Sequence, residues 1–65
     1  SSIVNIDVNE PVKIEIIDVS GRIVYTGTTV TLKTIDLSNY KRGMYNLRIS
    51  ALTSEKYYTY KLTKN

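Results

Sequence analysis

Cysteine, histidine, tryptophan and phenylalanine are all absent from this 65-residue chain. Without cysteine there is no disulfide framework, and without cysteine or histidine the usual structural zinc sites are excluded. General acid/base and nucleophilic catalysis lose their commonest agents as well, leaving scattered carboxylates and lysines and no base to activate a serine. Proline occurs once, at Pro11, and glycine three times, at Gly21, Gly27 and Gly43, each standing alone. No glycine-rich phosphate loop can be built from isolated glycines. No window approaches the apolar length of a membrane-spanning helix, and Ser1-Ser2-Ile3 does not open a signal peptide. The reading is therefore of a non-enzyme with no metal or small-molecule cofactor.

The chain instead contains short runs of alternating apolar and polar residues. A chain this small buries roughly 60% of its unfolded surface, so its stability is expected to be marginal. Net charge is +3, unevenly spread: residues 1–40 carry −2 and residues 41–65 carry +5. A basic C-terminal part fits an anionic partner, but one charge per exposed strand position is normal for a soluble sheet.

Ile3 to Val8 alternates, with Val4, Ile6 and Val8 on one face, until Asn9-Glu10-Pro11 breaks the ladder. Val12 to Ile17 is a second strand with Val12, Ile14 and Ile16 inward. Asp18-Val19-Ser20-Gly21 then makes a tight turn, in which the Asp18 carboxylate accepts from later backbone amides and Gly21 supplies positive φ. Arg22 to Thr26 returns as a third strand, and Gly27-Thr28-Thr29 reads as a soft break. Val30 to Leu37 is β-branched and strand-forming, but Val30 and Leu32 lie on the opposite parity from Ile35 and Leu37, which predicts a bulge or change of sheet. Thr34 to Ile49 is an arch: it begins as the end of an apolar strand at Ile35 and Leu37 and turns through Ser38, Asn39, Lys41 and Arg42. It passes Gly43 and launches the most strictly alternating strand, with Tyr45, Leu47 and Ile49 on one face. In many β-sandwiches such an arch carries the chain between sheets, its tyrosine buried at the corner and its hydroxyl bonded to upstream backbone. Ser50 to Glu55 reads as a hairpin loop and Lys56 to Thr63 as the last strand. Alternation puts Tyr58, Tyr60 and Leu62 on one face, and these are expected to fill the core with Tyr57 half exposed. Nothing reads as a helix of useful length, so the fold class is all-β, a sandwich of about six to seven antiparallel strands.

Asp18 and Asp36 are read as turn residues that bond to their own backbone. Three groups of residues also carry a family resemblance. Ile14-Glu15-Ile16-Ile17-Asp18-Val19-Ser20-Gly21-Arg22-Ile23-Val24 resembles the D-x-x-G-R-x-V hairpin of type IX secretion system C-terminal sorting domains of type A. The segment Ile35 to Ile49 is similar to their I-D-L-S-x-L-x-x-G-x-Y-x-v-x-I segment, and Lys61-Leu62-Thr63-Lys64 to their K-l-x-K ending. The likeness runs through nearly the whole chain, in order. It departs from the family in lacking the usual opening Pro-Asn-Pro turn, and in placing Tyr40 where leucine is common.

The resemblance implies an address and no reaction. Such domains are Ig-like sandwiches at the C-terminus of exported proteins, so residues 1–65 are expected to be a single sorting domain cut from a larger secreted protein. Transit through the periplasm and display on the outer-membrane surface or release follow from it. An outer-membrane translocon would read the domain, and a sortase would remove it and join the cargo to an anionic lipopolysaccharide. Lys61, Leu62 and Lys64 are the expected recognition residues, and Asp18, Gly21, Arg22, Asp36, Gly43 and Tyr45 the turn and corner residues that set the fold. Free strand edges add the expectation of a homodimer. Two other functions place different demands on the surface. An adhesive or carbohydrate-binding sandwich needs Tyr25, Tyr40 and Tyr57 coplanar on one surface. A barrel binding single-stranded nucleic acid would use Lys56 to Leu62 as a stacking platform, but placing Tyr58 and Tyr60 in the core argues against a nucleic-acid partner.

Overall fold

A computed structural model describes residues 2–65, and strand is the only regular secondary structure among them. The strands are β1 (Ile3–Asp7), β2 (Val12–Asp18), β3 (Ile23–Thr29), β4 (Leu32–Asp36), β5 (Gly43–Ala51) and β6 (Tyr57–Lys64). They form an antiparallel sandwich of two unequal sheets: β1 pairs with β4, and the other four run in the order β3-β2-β5-β6. The expected six-stranded, all-β architecture is what the chain adopts.

Alternation explains the core. Val12, Ile14 and Ile16 of β2 and Tyr45 and Leu47 of β5 line the inner face of the larger sheet. Ile6 of β1, Ile35 of β4 and Leu37 of the arch close on them from the other side. Ile14 and Ile16 are 0% exposed and sit at the centre. Each such side chain contributes about 1.5–3 kcal/mol on leaving water, and in so small a chain these few residues supply most of the driving force.

Three expectations are corrected. The parity conflict in β4 is not resolved by a bulge, because β1 and β4 pair in unbroken register from Ile3–Asp36 to Asp7–Leu32. Leu32 simply faces outward at 58% exposure, and Val30 lies exposed in the turn before it. The register shift occurs instead opposite Ile16 and Ile17, where Tyr25 and Ile23 are their partners and Val24 is the extra residue. Such a bulge lets neighbouring residues turn toward the same side, and Val24 and Tyr25 both pack against the core. Gly27 to Thr29 continues β3 and does not break it.

The third correction concerns β6. Its register opposite Ile49, Leu47 and Tyr45 does put Tyr58, Tyr60 and Leu62 on the inner face. Tyr58 and Tyr60 are nevertheless 54% and 52% exposed, and only Leu62 packs against the core. The opposing sheet has two strands against four, and burial runs out before it reaches the edge strand. On the outer face Tyr57 is exposed and lies under Arg48, whose guanidinium carbon is 4.4 Å from the ring centroid, a cation–π contact of about 0.5–1 kcal/mol at an exposed site.

Candidate recognition site at one end of the sandwich

The β2–β3 turn, the arch from β4 to β5 and the last residues of β6 meet at one end of the molecule. In the turn, Asp18 Oδ1 accepts from the Ser20 amide at 2.9 Å, the Ser20 hydroxyl at 2.6 Å and the Arg22 amide at 3.0 Å. The Arg22 Nε donates to Oδ2 at 3.2 Å. Gly21, at φ +88°, lets its own amide reach the Asp18 carbonyl at 3.0 Å. These bonds, led by the Ser20 hydroxyl and the Arg22 amide, hold the Asp18 carboxyl below its ordinary pKa of 3.8. Asp18 thus accepts from later backbone amides and Gly21 takes a positive φ, the local chemistry read from the sequence, and the Arg22 side chain adds a further bond.

The arch is held in the same local manner. Asp36 Oδ1 accepts from the Ser38 amide at 2.9 Å, and the Tyr40 amide donates to the Leu37 carbonyl at 2.9 Å. Bonding to Ser38, with Lys64 nearby, keeps the Asp36 carboxyl below its ordinary pKa. Gly43, at φ +140°, turns the chain into β5. Two residues on, the Tyr45 ring is buried and its hydroxyl donates to the Lys41 carbonyl at 2.6 Å. This is the corner tyrosine that the alternation pointed to. Tyr40 packs on it with ring centroids 5.7 Å apart at 52°. Burial, then the neighbouring Tyr25 and Tyr45, raises the Tyr40 hydroxyl above its ordinary pKa.

β6 joins this end through alternate residues. Leu62 lies opposite Tyr45 and Lys64 opposite Gly43. The Lys64 ammonium makes a long hydrogen bond of 3.5 Å to the Tyr40 carbonyl, so the last strand is tied to the arch 24 residues upstream. Lys61 does not share this arrangement. It pairs with Asn46 on the outer face and lines a shallow depression of about 150 Å³ with Val19, Met44 and Asn46. The three residues of the K-l-x-K ending are thereby split between two faces.

Between the turn and the arch lies a cleft of about 390 Å³, bordered by Asp18, Arg22, Gly43 and Tyr45 together with Val24, Tyr40, Lys41, Arg42 and Met44. It falls in the size range of ligand sites, roughly 300–1,000 Å³. Reading the sequence singled out neither Lys41 nor Arg42 as a site residue. The available signal was two adjacent cations in a loop, directly before the glycine that turns it. The surface needed for an aromatic platform does not form: Tyr25 and Tyr40 pack against the core, whereas Tyr57 is on the outer face.

Comparison with known families matches the whole chain, residues 1–65, to the secretion system C-terminal sorting domain. No curated protein and no solved structure matches.

Proposed function

Because this chain belongs to the secretion system C-terminal sorting domain family, we propose that the end of the sandwich formed by turn, arch and β6 is the surface read during export. The family is the C-terminal signal of type IX secretion, and as such the domain is a tag that sends its cargo across the outer membrane to the surface or the medium. Residues 1–65 form one sorting domain that folds in the periplasm and is presented to an outer-membrane translocon. Lys61, Leu62 and Lys64 supply the readout, and Asp18, Gly21, Arg22, Asp36, Gly43 and Tyr45 hold the surface in shape. A sortase then removes the domain, which itself performs no reaction. The observation that carries this is the junction of β6 with the arch, where Lys64 meets the Tyr40 carbonyl and Leu62 lies opposite Tyr45. A partner that grips the last strand also senses whether the arch is folded.

Fusing residues 1–65 behind a periplasmic reporter in a type IX-competent cell tests this. The reporter should reach the surface or medium, and deleting Lys61 to Asn65 should stop it. Retention of the intact fusion in the periplasm, with no effect of the deletion, refutes the reading. The free edges of the larger sheet at β3 and β6 support a weak homodimer through strand pairing. Sedimentation across a wide concentration range should show self-association, and a monomer mass throughout excludes it.

A further inference from the structure

The cleft between turn and arch has a chemistry of its own. Three cations line it, Arg22, Lys41 and Arg42, against one carboxylate, Asp18. That carboxylate is already engaged by Ser20 and Arg22, as described above. The Arg22 Nε is spent on Asp18, which leaves its terminal nitrogens to present a planar fork outward. The same cleft is also lined by apolar groups: Val24, Met44 and the packed rings of Tyr40 and Tyr45.

We propose that this cleft binds an acidic-apolar peptide segment of a partner protein, with a carboxylate on Arg22, Lys41 and Arg42 and a neighbouring aliphatic side chain against Tyr40 and Met44. Arginine favours planar carboxylates, which it meets with two parallel hydrogen bonds. A bare phosphate would satisfy the cations and leave the apolar lining facing water. A sugar would need an aromatic face to stack on. Tyr45 is 8% exposed, and the half-buried Tyr40 turns its hydroxyl inward, 3.5 Å from the Val24 carbonyl. Only a ligand with both an anion and an aliphatic group matches both the cationic and the apolar lining. Complementarity of this kind sets partner choice and encounter rate.

The inference rests on the reading of this end as the recognition surface, and it names what is recognised there. The test is a titration of the 15N-labelled chain with a capped leucine–glutamate–leucine tripeptide, its glutamine counterpart, and glucose 1-phosphate. The glutamate peptide should shift the amides of Ser20, Arg22 and Tyr40 to Met44. The glutamine peptide should bind about tenfold more weakly, the expected loss for one charge-assisted contact. Lys41 and Arg42 have no side-chain partner among the described residues, so the Lys41→Gln/Arg42→Gln variant should keep its fold and lose about tenfold in affinity. Lys56→Gln, at the opposite end of the sandwich, removes a charge of the same sign and should bind as the parent does. Equal binding of the two peptides, no localised shifts at millimolar peptide, or tighter binding of glucose 1-phosphate overturns the proposal. Because the purified chain is titrated without export machinery, this failure is separate from a failure of the fusion to be exported.

Discussion

Replacing Tyr45 separates what the corner does for the fold from what it does for export. The Tyr45 hydroxyl makes a single bond, 2.6 Å to the Lys41 carbonyl. Lys41 itself is exposed, so in Tyr45→Phe the abandoned carbonyl can take up water, and the loss should be that of an ordinary net hydrogen bond, about 1 kcal/mol. In a domain of this size about 1 kcal/mol lowers the melting temperature by roughly 4–8 °C. With a urea slope near ~1 kcal/mol/M, the midpoint should fall by about 1 M. Tyr45→Ala removes the ring as well, 8% exposed and packed on Tyr40. Truncating a buried aromatic costs about 3–5 kcal/mol. At 0.05–0.15 kcal/mol per residue the whole 65-residue chain has about 3–10 kcal/mol in total. The alanine variant should therefore lose between about a third and all of its stability, and its export should fall in step with the fraction unfolded.

The assay is thermal and urea unfolding followed by far-ultraviolet circular dichroism, run beside the reporter-export assay on the same variants. Tyr45→Phe should be exported while measurably destabilised. An unchanged Tyr45→Phe midpoint would show that the corner bond adds nothing to stability. A folded Tyr45→Ala that is not exported would make the ring part of the signal and overturn its assignment to the scaffold.

Three further predictions test the surrounding structure. Gly43→Ala should cost about 1–3 kcal/mol in urea unfolding, although nothing lies within 4 Å of the added carbon, because the strain comes from its φ of +140°. Asp18 and Asp36 have folded pKa values below their ordinary 3.8. The stability they add is thus complete above that value and lost as pH falls through the lower folded one. Asp18→Asn should lower the melting temperature near about pH 7 and lower it progressively less as pH falls below the ordinary carboxyl value; a loss that does not shrink with falling pH would refute the linkage. Tyr58→Ser and Tyr60→Ser should each change stability by less than about 0.5 kcal/mol, as exposed substitutions do, whereas core residues would cost several times more in the same measurement.

Which parts of this molecule could be read from residues alone follows from how local each determinant is. The Asp18 turn is closed by groups at most four residues apart, and the corner bond of Tyr45 reaches back four residues. Both were legible because residue type and spacing specify the bonds. Parity also placed Tyr58 and Tyr60 on the correct face of β6. It could not say whether that face is covered, because coverage depends on how far a sheet formed by β1 and β4 extends. The same limit misled the reading of Leu32, whose parity needed no bulge once β4 proved to have an exposed side. The cleft was illegible for a related reason. Its cations come from a turn and an arch 19 residues apart, at Arg22 and Lys41, and only the pairing of β2 with β5 brings them to one end.

The pairing of β5 with β6 makes scaffold and candidate signal hard to separate in the last strand. Leu62 is packed on the core and Lys64 is bonded to the arch carbonyl of Tyr40, so removing either loosens the structure while it removes a candidate contact. Lys61 carries no such double role, since its partner across the ladder is Asn46 on the outer face and its side chain is exposed. Lys61→Gln is accordingly the cleanest probe of the ending. Its unfolding midpoint should stay within about 0.5 kcal/mol of the parent, so any change in export reads recognition alone. If Lys61→Gln exports normally while Lys64→Gln, corrected for its own loss of stability, does not, then recognition is concentrated at the arch end. If both export normally, the side-chain charges of β6 are not the signal, and its free backbone edge becomes the part that a partner strand would pair with.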